Sequence, residues 1–373
     1  MANNKLRVGV IFGGRTGEHE VSLVSAASVM NALDKEKYEV VPIGITKEGK
    51  WLSSSRTMTL LKSGKNSDHE EEKILLPDPT KQQLTNVEES RDSEPLDVVF
   101  PVLHGRYGED GTMQGLLELA NIPYVGAGVL GSALGLDKVV QKQLFAEAGL
   151  PIVKYGWFTM KNFTVNRERT LTNIEANSPY PMFIKPANTG SSVGITKAHN
   201  RQELIGGIEL AGKYDRKIVV ESAVKNVREI ECAVLGNDDP KASVLGEVTP
   251  SNEFYDYNAK YVDGESQITI PAQLPAEVTE KVRGYAIRAF QAIDCSGMAR
   301  VDFFVVKGTN EIFLNEVNTI PGFTAISMYP KLWEASGLPY AQLLDKLIEL
   351  AIERHNEMNK LQTEYKPNKK WYE

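Results

Sequence analysis

Two short stretches near the C-terminus carry charged side chains at alternate positions within apolar runs. The first reads MARVDFFVV and contains Arg300 and Asp302, and the second reads EIFLNEVNTIPG and contains Glu316 and Asn318. Side chains two apart in a strand share a face, so each stretch predicts a strand with one charged face. Asn315 departs from this alternation. The apolar side chains predicted on the opposite face are Val301, Phe303, Val305, Phe313 and Val317.

A hairpin turn at residues 308–310 would bring the two charged faces together. Asp302 then lies opposite Glu316, and Arg300 lies opposite Asn318. Directly opposed carboxylates repel each other unless a cation lies between them. Two carboxylates and a carboxamide oxygen suit a hard cation such as Mg²⁺, which keeps several waters and binds phosphate oxygens. The pattern therefore indicates phosphoryl chemistry, and the opposed charges disfavour an ordinary amphipathic sheet with a solvated face.

Three glycine-containing loops each follow a predicted strand. The loop KPANTGSSVG, from Lys185, predicts a phosphate cradle, because its backbone N–H groups can approach an anion beside a lysine, although the usual P-loop spacing is absent. The loop GGRTGEHE, from Gly13, precedes a helix, and its Glu18 suits a substrate ammonium group or a purely structural role. The loop HGRYGEDG, from His104, is predicted at the same sheet edge as the loop from Gly13.

A fourth segment, FYDYNAKY at residues 254–261, is dense in aromatic and polar side chains. It suits a loop that closes over a site, and a surface loop held by its tyrosines is the alternative.

Composition limits the classes of function. The chain has 373 residues, 42% of them hydrophobic, and a net charge of -7, which predicts two or three domains and argues against nucleic acid as the main partner. The N-terminal residues contain no long apolar region or cleavage site, so no leader segment is expected, and no apolar run approaches the ~18 residues of a membrane span. The two cysteines, Cys232 and Cys295, lie in apolar contexts and suggest buried free thiols in a cytoplasmic protein.

The order of predicted elements gives an α/β fold that is α+β in part. Strands at residues 6–12, 38–45 and 97–103 alternate with helices, which favours a parallel, Rossmann-like sheet in an N-terminal domain at residues 1–137. Residues 62–94 are polar and charged and predict a surface insertion with one short strand. A central α+β module is predicted at residues 138–224. The third region, residues 225–373, contains the charged hairpin and a closing helix at 341–355.

Six separated motifs together resemble the D-alanine–D-alanine ligases of the ATP-grasp superfamily, in the order found in that family and across nearly the whole chain. They are GGxxxExEVS at 13–22, HGxxGEDG at 104–111, KPxxxGSSVG at 185–194, YDYxAKY at 255–261, RxD at 300–302 and NExNTxPG at 315–322. The resemblance implies an ATP-grasp fold in which the N-terminal domain binds substrate. The central and C-terminal regions would then be the two ATP-grasp subdomains, the second with the metal site and the closing loop.

The resemblance also implies roles for residues at the nucleotide. The lysines that would face the ATP phosphates are Lys138, Lys185 and Lys260. The backbone after Glu221 would bind adenine, and Glu229 would bind the ribose. The metal ligands would be Asp302, Glu316 and Asn318, which would hold Mg²⁺, or Mn²⁺ in its place, with two ions expected.

At the substrates, the resemblance assigns Glu18 to the ammonium group of the first D-alanine, aided by His104. Glu18, Ser191 and Tyr261 would be linked by hydrogen bonds. Ser327 would help to bind the carboxylate of the second substrate. The oxyanion of the tetrahedral intermediate would be supported by Arg300 and the Gly322 amide.

The expected reaction joins two D-alanine molecules through a D-alanyl phosphate, with release of ADP and phosphate, for peptidoglycan precursor synthesis. The alternatives are ligation of another carboxylate and amine, and a D-alanine–D-lactate ligase, which Tyr261 disfavours. An NAD-dependent dehydrogenase would need a glycine fingerprint that the chain lacks. The expected partners are small molecules and a second copy of the chain in a homodimer, with no nucleic acid or membrane.

Overall fold

The structure is a computed structural model that describes residues 5–64, 72–87, 95–249 and 267–365. Within these ranges the strands form three sheets of six, four and five strands.

The first sheet has the strand order β5-β4-β3-β2-β1-β6. Its strands are β1 Leu6–Gly13, β2 Tyr38–Ile45, β3 Trp51–Leu52, β4 Glu72–Leu75, β5 Leu84–Asn86 and β6 Val98–Val102. Strands β2, β1 and β6 are parallel, as predicted; the apolar runs of β1 and β6 are buried, and β2 is buried at its ends and half-buried in its middle. The single short strand predicted within residues 62–94 is corrected, because two strands, β4 and β5, lie there and extend the sheet with antiparallel pairing.

Four helices lie in this part of the chain: α1 His19–Ala32, α2 Thr57–Ser63, α3 Thr112–Leu119 and α4 Val129–Leu136. Because β1 and β6 are parallel neighbours, the loops that follow them meet at one edge of the sheet. These are the two loops that begin at Gly13 and His104, so their predicted proximity is confirmed.

The second sheet is antiparallel and has the order β7-β10-β8-β9. Its strands are β7 Tyr155–Thr159, β8 Met182–Pro186, β9 Thr196–Ala198 and β10 Lys217–Ser222. The helices of this region are α5 Lys138–Glu147, α6 Met160–Val165, α7 Arg167–Asn177 and α8 Arg201–Ala211. The Asp137 side chain accepts hydrogen bonds from the Val139 and Val140 backbone N–H groups, and this N-cap starts α5 at Lys138.

The third sheet is antiparallel and has the order β13-β12-β11-β14-β15. Its strands are β11 Val227–Gly236, β12 Lys241–Thr249, β13 Gln267–Thr269, β14 Gly297–Val306 and β15 Ile312–Asn318. The last helices are α9 Ala276–Ala292, α10 Met328–Ala335 and α11 Tyr340–Met358.

Helix α11 connects the end of the chain to its beginning. Its apolar face, which includes Leu343 and Leu347, belongs to the same buried cluster as Val10 and Phe100 of the first sheet. The predicted closing helix is therefore present and packs on the N-terminal region. None of the helices in the described ranges is long and apolar enough to cross a membrane. The domain boundaries at residues 137 and 224 stay predictions.

Candidate active site

The charged hairpin forms with the predicted pairing. In the register of β14 and β15, Arg300 is paired with Asn318 and Asp302 with Glu316. The Asn318 amide donates a hydrogen bond to Asp302 Oδ2 at 3.0 Å. The two carboxylates therefore lie on one face of adjacent strands, with the carboxamide beside them.

A β-bulge accounts for Asn315. The register shifts between Asp302 and Phe303, so that Phe303 pairs with Leu314 and Asn315 is left as the extra residue. Leu314 consequently joins the buried core, with no exposed surface. The prediction that Phe313 lies on the core face was wrong, because the bulge reverses the alternation on its side of the hairpin.

The guanidinium of Arg300 lies between two carboxylates. It donates from Nε and Nη2 to the two Asp302 oxygens, each at 2.8 Å, and Nε lies 2.9 Å from Glu231 Oε2. Burial alone would lower the pKa of Arg300, but these two carboxylates outweigh it and raise the pKa well above its usual range. Glu231 pairs with Asp302 across β11 and β14, so Glu231, Asp302 and Glu316 form a row across three strands.

This donor set fits a hard cation. Asp302, Glu316 and Asn318 offer only oxygen as ligand atoms, and the row of like charges is stabilised by added positive charge. In the described part of the chain, no group of three or more His, Cys, Asp or Glu side chains could hold a metal. A metal here would therefore need the carboxamide oxygen of Asn318 as its third protein ligand.

Two lysines bring positive charge to the carboxylates. Lys138 Nζ lies 3.5 Å from Glu316 Oε2 and donates to the Thr189 carbonyl at 2.7 Å. Lys185 Nζ, at the end of β8, lies 2.7 Å from Glu221 Oε2. Burial opposes the charge on Lys185, but Glu221 and Glu316 outweigh it and raise its pKa, so Lys185 is an ammonium.

These side chains surround one cavity of about 190 Å³ between the second and third sheets. The predicted site residues that line it are Lys138, Lys185, Ser191, Glu221, Glu229, Asp302, Glu316 and Asn318. The cavity therefore combines lysines, oxygen ligands and the backbone after β10, which is a suitable surface for a phosphate-bearing nucleotide.

A second cluster surrounds Glu18, which precedes α1 and is only 7% exposed. The Ser191 hydroxyl donates a hydrogen bond to Glu18 Oε1. A Cβ atom at Gly105 would lie 2.7 Å from Glu18 Oε2, and one at Gly190 would lie 2.6 Å from it. Two glycines are therefore required for the close approach of backbone to this carboxylate.

His104 lies at the end of β6, beside the Glu18 cluster. Its side chain is buried, and burial lowers the pKa of the imidazole although Glu18 acts in the opposite direction. His104 Nε2 is 3.5 Å from Ser25 Oγ, which also accepts a hydrogen bond from the Phe323 backbone N–H. A neutral imidazole therefore connects α1 with the segment after β15.

That segment contains the other two predicted substrate residues. A Cβ atom at Gly322 would lie 2.7 Å from Ser327 Oγ. The Thr324 N–H donates to the same Ser327 oxygen at 2.9 Å. Gly322 and Ser327 are thus brought together in one turn before α10.

Comparison with known proteins shows the family. A family model described as "D-ala D-ala ligase N-terminus" matches residues 7–127, and one described as "D-ala D-ala ligase C-terminus" matches residues 144–349. A D-alanine–D-alanine ligase from Natranaerobius thermophilus is 50% identical over 361 residues, which cover 97% of this chain and 99% of that protein. The chain belongs to the D-alanine–D-alanine ligase family.

Solved structures give the same result. The VanG D-Ala:D-Ser ligase from Enterococcus faecalis matches with a TM-score of 0.83 and 39% identity over 93% of this chain and 100% of that chain. The D-alanine–D-alanine ligase from Coxiella burnetii matches with a TM-score of 0.81 and 38% identity over 95% and 96% of the two chains. The fold is the ATP-grasp fold of these ligases. Membership of the family implies use of ATP with a divalent metal, and small-molecule substrates.

Sequence reasoning missed three charged residues at this ligase site. Glu231 holds Arg300 and could have been found from its period-two spacing after Glu229. Glu109, in the loop from His104, accepts a hydrogen bond from the Gly105 N–H at 2.8 Å, and burial and the nearby Glu18 raise its pKa well above its usual range. The third is Lys142, one helical turn after Lys138.

Lys142 is almost fully buried, with 1% of its side chain exposed. Its Nζ lies 3.0 Å from Glu221 Oε1 and donates to the Asn315 carbonyl at 3.1 Å. Burial lowers the pKa of Lys142, which Glu221 opposes. Burial acts to raise the pKa of Glu221, but the charges of Lys142 and Lys185 outweigh burial and lower this pKa to about 2.

Two predicted site residues of the ligase motifs, Lys260 and Tyr261, lie outside the described residues, as does the predicted closing loop at 254–261. Their roles stay predictions.

Proposed function

We propose that this protein joins two D-alanine molecules into D-alanyl-D-alanine, with cleavage of ATP to ADP and phosphate, and so supplies a peptidoglycan precursor. Family membership supports the reaction. The observation that carries the proposal is the hydrogen bond from Ser191 to Glu18. Ser191 belongs to the same loop as Lys185, so this loop lines the nucleotide cavity and also reaches the carboxylate proposed to bind the first substrate.

This proximity matters because a carboxylate is a poor acylating agent. Its leaving group would be oxide, so phosphorylation by ATP is needed to make an acyl phosphate that an amine can attack. The γ-phosphate and the carboxylate of the first D-alanine must therefore lie close together in line. A loop that contacts both binding regions can provide that placement.

In the proposed nucleotide site, Lys138, Lys185 and Lys260 neutralise the phosphates. The backbone after Glu221 binds adenine, and Glu229 binds the ribose. Support for these roles comes from the position of Lys138, Lys185, Glu221 and Glu229 around the same cavity.

Asp302, Glu316 and Asn318 would hold Mg²⁺, with two ions expected and Mn²⁺ as a substitute. When bound, the metal would offset the negative charge of the phosphate oxygens. Arg300 keeps its second carboxylate partner, Glu231, if Asp302 turns toward the metal.

At the substrate end, Glu18 accepts the ammonium group of the first D-alanine, with His104 beside it and Ser191 and Tyr261 in the same hydrogen-bonded group. Ser327 binds the carboxylate of the second D-alanine. Arg300 and the Gly322 N–H stabilise the tetrahedral oxyanion, an effect worth roughly 3–4 kcal/mol per donor in a comparable oxyanion hole. The loop at 254–261 closes over the acyl phosphate and excludes water.

The test is ADP release by the purified protein with Mg·ATP, with products identified by mass. The single substrates are D-alanine and L-alanine, and the mixtures pair D-alanine with D-lactate or D-serine. D-Serine is included because the E. faecalis neighbour is titled a D-Ala:D-Ser ligase. D-Alanine-dependent ADP release with a D-alanyl-D-alanine product supports the proposal, whereas a mixed product formed in preference to it would contradict the assigned second substrate.

The proposal also includes a homodimer in the cytoplasm and the three-region division at residues 137 and 224. Light scattering of the purified protein gives the mass in solution, and a monomer mass would contradict the dimer.

A further inference from the structure

Lys142 is a charged residue to which the proposed reaction gives no role. It follows Lys138 by four residues on α5, so both side chains leave the same face of the helix. Lys138 lines the cavity, whereas Lys142 is not among the described residues that line it. An ammonium buried in this way needs a specific partner, because desolvation of a charge is costly.

Its partner is the carboxylate of Glu221, which Lys142 shares with Lys185. Oε1 of Glu221 lies 3.0 Å from Lys142 Nζ, and Oε2 lies 2.7 Å from Lys185 Nζ. Each oxygen thus holds one ammonium. The bulge residue Asn315 contacts both lysines as well, through its carbonyl to Lys142 at 3.1 Å and its Oδ1 to Lys185 at 3.4 Å.

The charges of this group decide what Lys185 can offer a ligand. Glu221 Oε1 and the Asn315 carbonyl hold Lys142 as an ammonium, so two ammonium groups and one carboxylate leave one net positive charge beside the cavity. Without Lys142 the group would be neutral. Both oxygens of the buried Glu221 could then pair with Lys185 and compete with the phosphates for its ammonium group. In a site of low polarity such a pair attracts an anion much less than a surplus cation does.

We propose that Lys142 is a positioning residue that, by holding one oxygen of Glu221, keeps the Lys185 ammonium available to the phosphates of the nucleotide. This inference rests on the proposed function, because it takes ATP as the ligand of the cavity. Lys142 acts through Glu221 and Lys185 rather than by touching the nucleotide.

The test compares two ligands that differ only in phosphates. Binding of adenosine and of a non-hydrolysable ATP analogue is measured by calorimetry for the wild type and for Lys142→Met, which keeps the length of the side chain and removes its charge. For Lys142→Met we expect the Kd of the analogue to rise about tenfold or more and the Kd of adenosine to stay unchanged. A change of this size is typical of the coupling between two linked sites. The control is Lys241→Met, which removes a lysine that is exposed and paired with Asp239.

A second variant separates charge from packing. In Lys142→Met/Glu221→Gln the competing carboxylate is gone, so we expect preference for the analogue over adenosine to return toward the wild-type value. This variant also tests the idea if the single variant fails to fold, because Lys185 alone then carries the single net positive charge that the group has in the wild type.

The inference is wrong if Lys142→Met weakens both ligands equally or neither, or if the double variant loses the preference for the analogue. A wild type that binds the analogue no better than adenosine would instead contradict the proposed function. The two failures are therefore distinguishable in one set of measurements.

Discussion

Gly190 lies so close to Glu18 that any side chain there would displace the carboxylate. The Cβ atom of an alanine would be 2.6 Å from Glu18 Oε2, whereas ordinary contact begins at 3.4 Å, so the carboxylate must move by about 0.8 Å. A misplacement of ~1 Å in a reacting group costs about 100-fold in rate. We expect Gly190→Ala to lower kcat/KM for D-alanine by about 100-fold, or about 3 kcal/mol in transition-state stabilisation.

The fold should tolerate this change. The φ angle of Gly190 lies outside the left-handed region, so alanine can adopt the same backbone conformation. The atom that must move is the end of a flexible side chain. We therefore expect the free energy of unfolding to change by no more than about 1 kcal/mol.

The assay is ADP release at varied D-alanine concentration, with urea unfolding of the same protein. The matched control is Gly206→Ala in α8, where an added Cβ meets nothing within 4 Å. This control should keep full activity and gain about 1 kcal/mol in stability, since alanine is the better helix former. A kcat/KM within twofold of the wild type for Gly190→Ala would refute the role given to Glu18.

Three further outcomes follow from the site. Asp302→Asn should raise the Mg²⁺ concentration needed for half-maximal ADP release by at least about 100-fold, and an unchanged Mg²⁺ titration would show that Asp302 is not a metal ligand. Folding lowers the pKa of Glu221 from 4.5 to about 2, so the ionised carboxylate adds about 3 kcal/mol to the free energy of unfolding above pH ~4.5, and this contribution is lost as the pH falls toward 2. In urea unfolding, the difference in stability between the wild type and Glu221→Gln should shrink over that pH range, and a constant difference would contradict this. Tyr261→Phe should raise use of D-lactate relative to D-alanine as second substrate, and an equal ratio of kcat/KM in wild type and variant would count against a role for Tyr261 in specificity.

Local pattern was enough to predict the charged hairpin. Period-two spacing gave the strands, and a turn at residues 308–310 gave the pairing of Asp302 with Glu316. The bulge at Asn315 was not predictable, because the spacing near the turn fits either of two registers and only packing of Leu314 in the core selects one.

Contacts between elements that are distant in sequence could not be predicted from the local spacing of residues either. Lys142 and Glu221 are far apart in sequence. Helical spacing predicts the face of the helix on which a lysine lies, but it does not predict which carboxylate pairs with that lysine. The strands β4 and β5 were missed for another reason. They are only four and three residues long, and they lie on the β5 side of the first sheet, where each needs only one buried leucine to pack.

The bulge at Asn315 makes the length of β15 matter as much as its composition. A substitution there changes one side chain, whereas loss of one residue would restore an unbroken register through the hairpin. Leu314 and Glu316 would then be consecutive residues that still face opposite sides of the sheet, but the contacts of Asn315 with Lys142 and Lys185 would be lost. In a chimera or a designed relative, this strand should therefore be exchanged together with its partner β14, so that the count of residues between the turn and Glu316 stays intact.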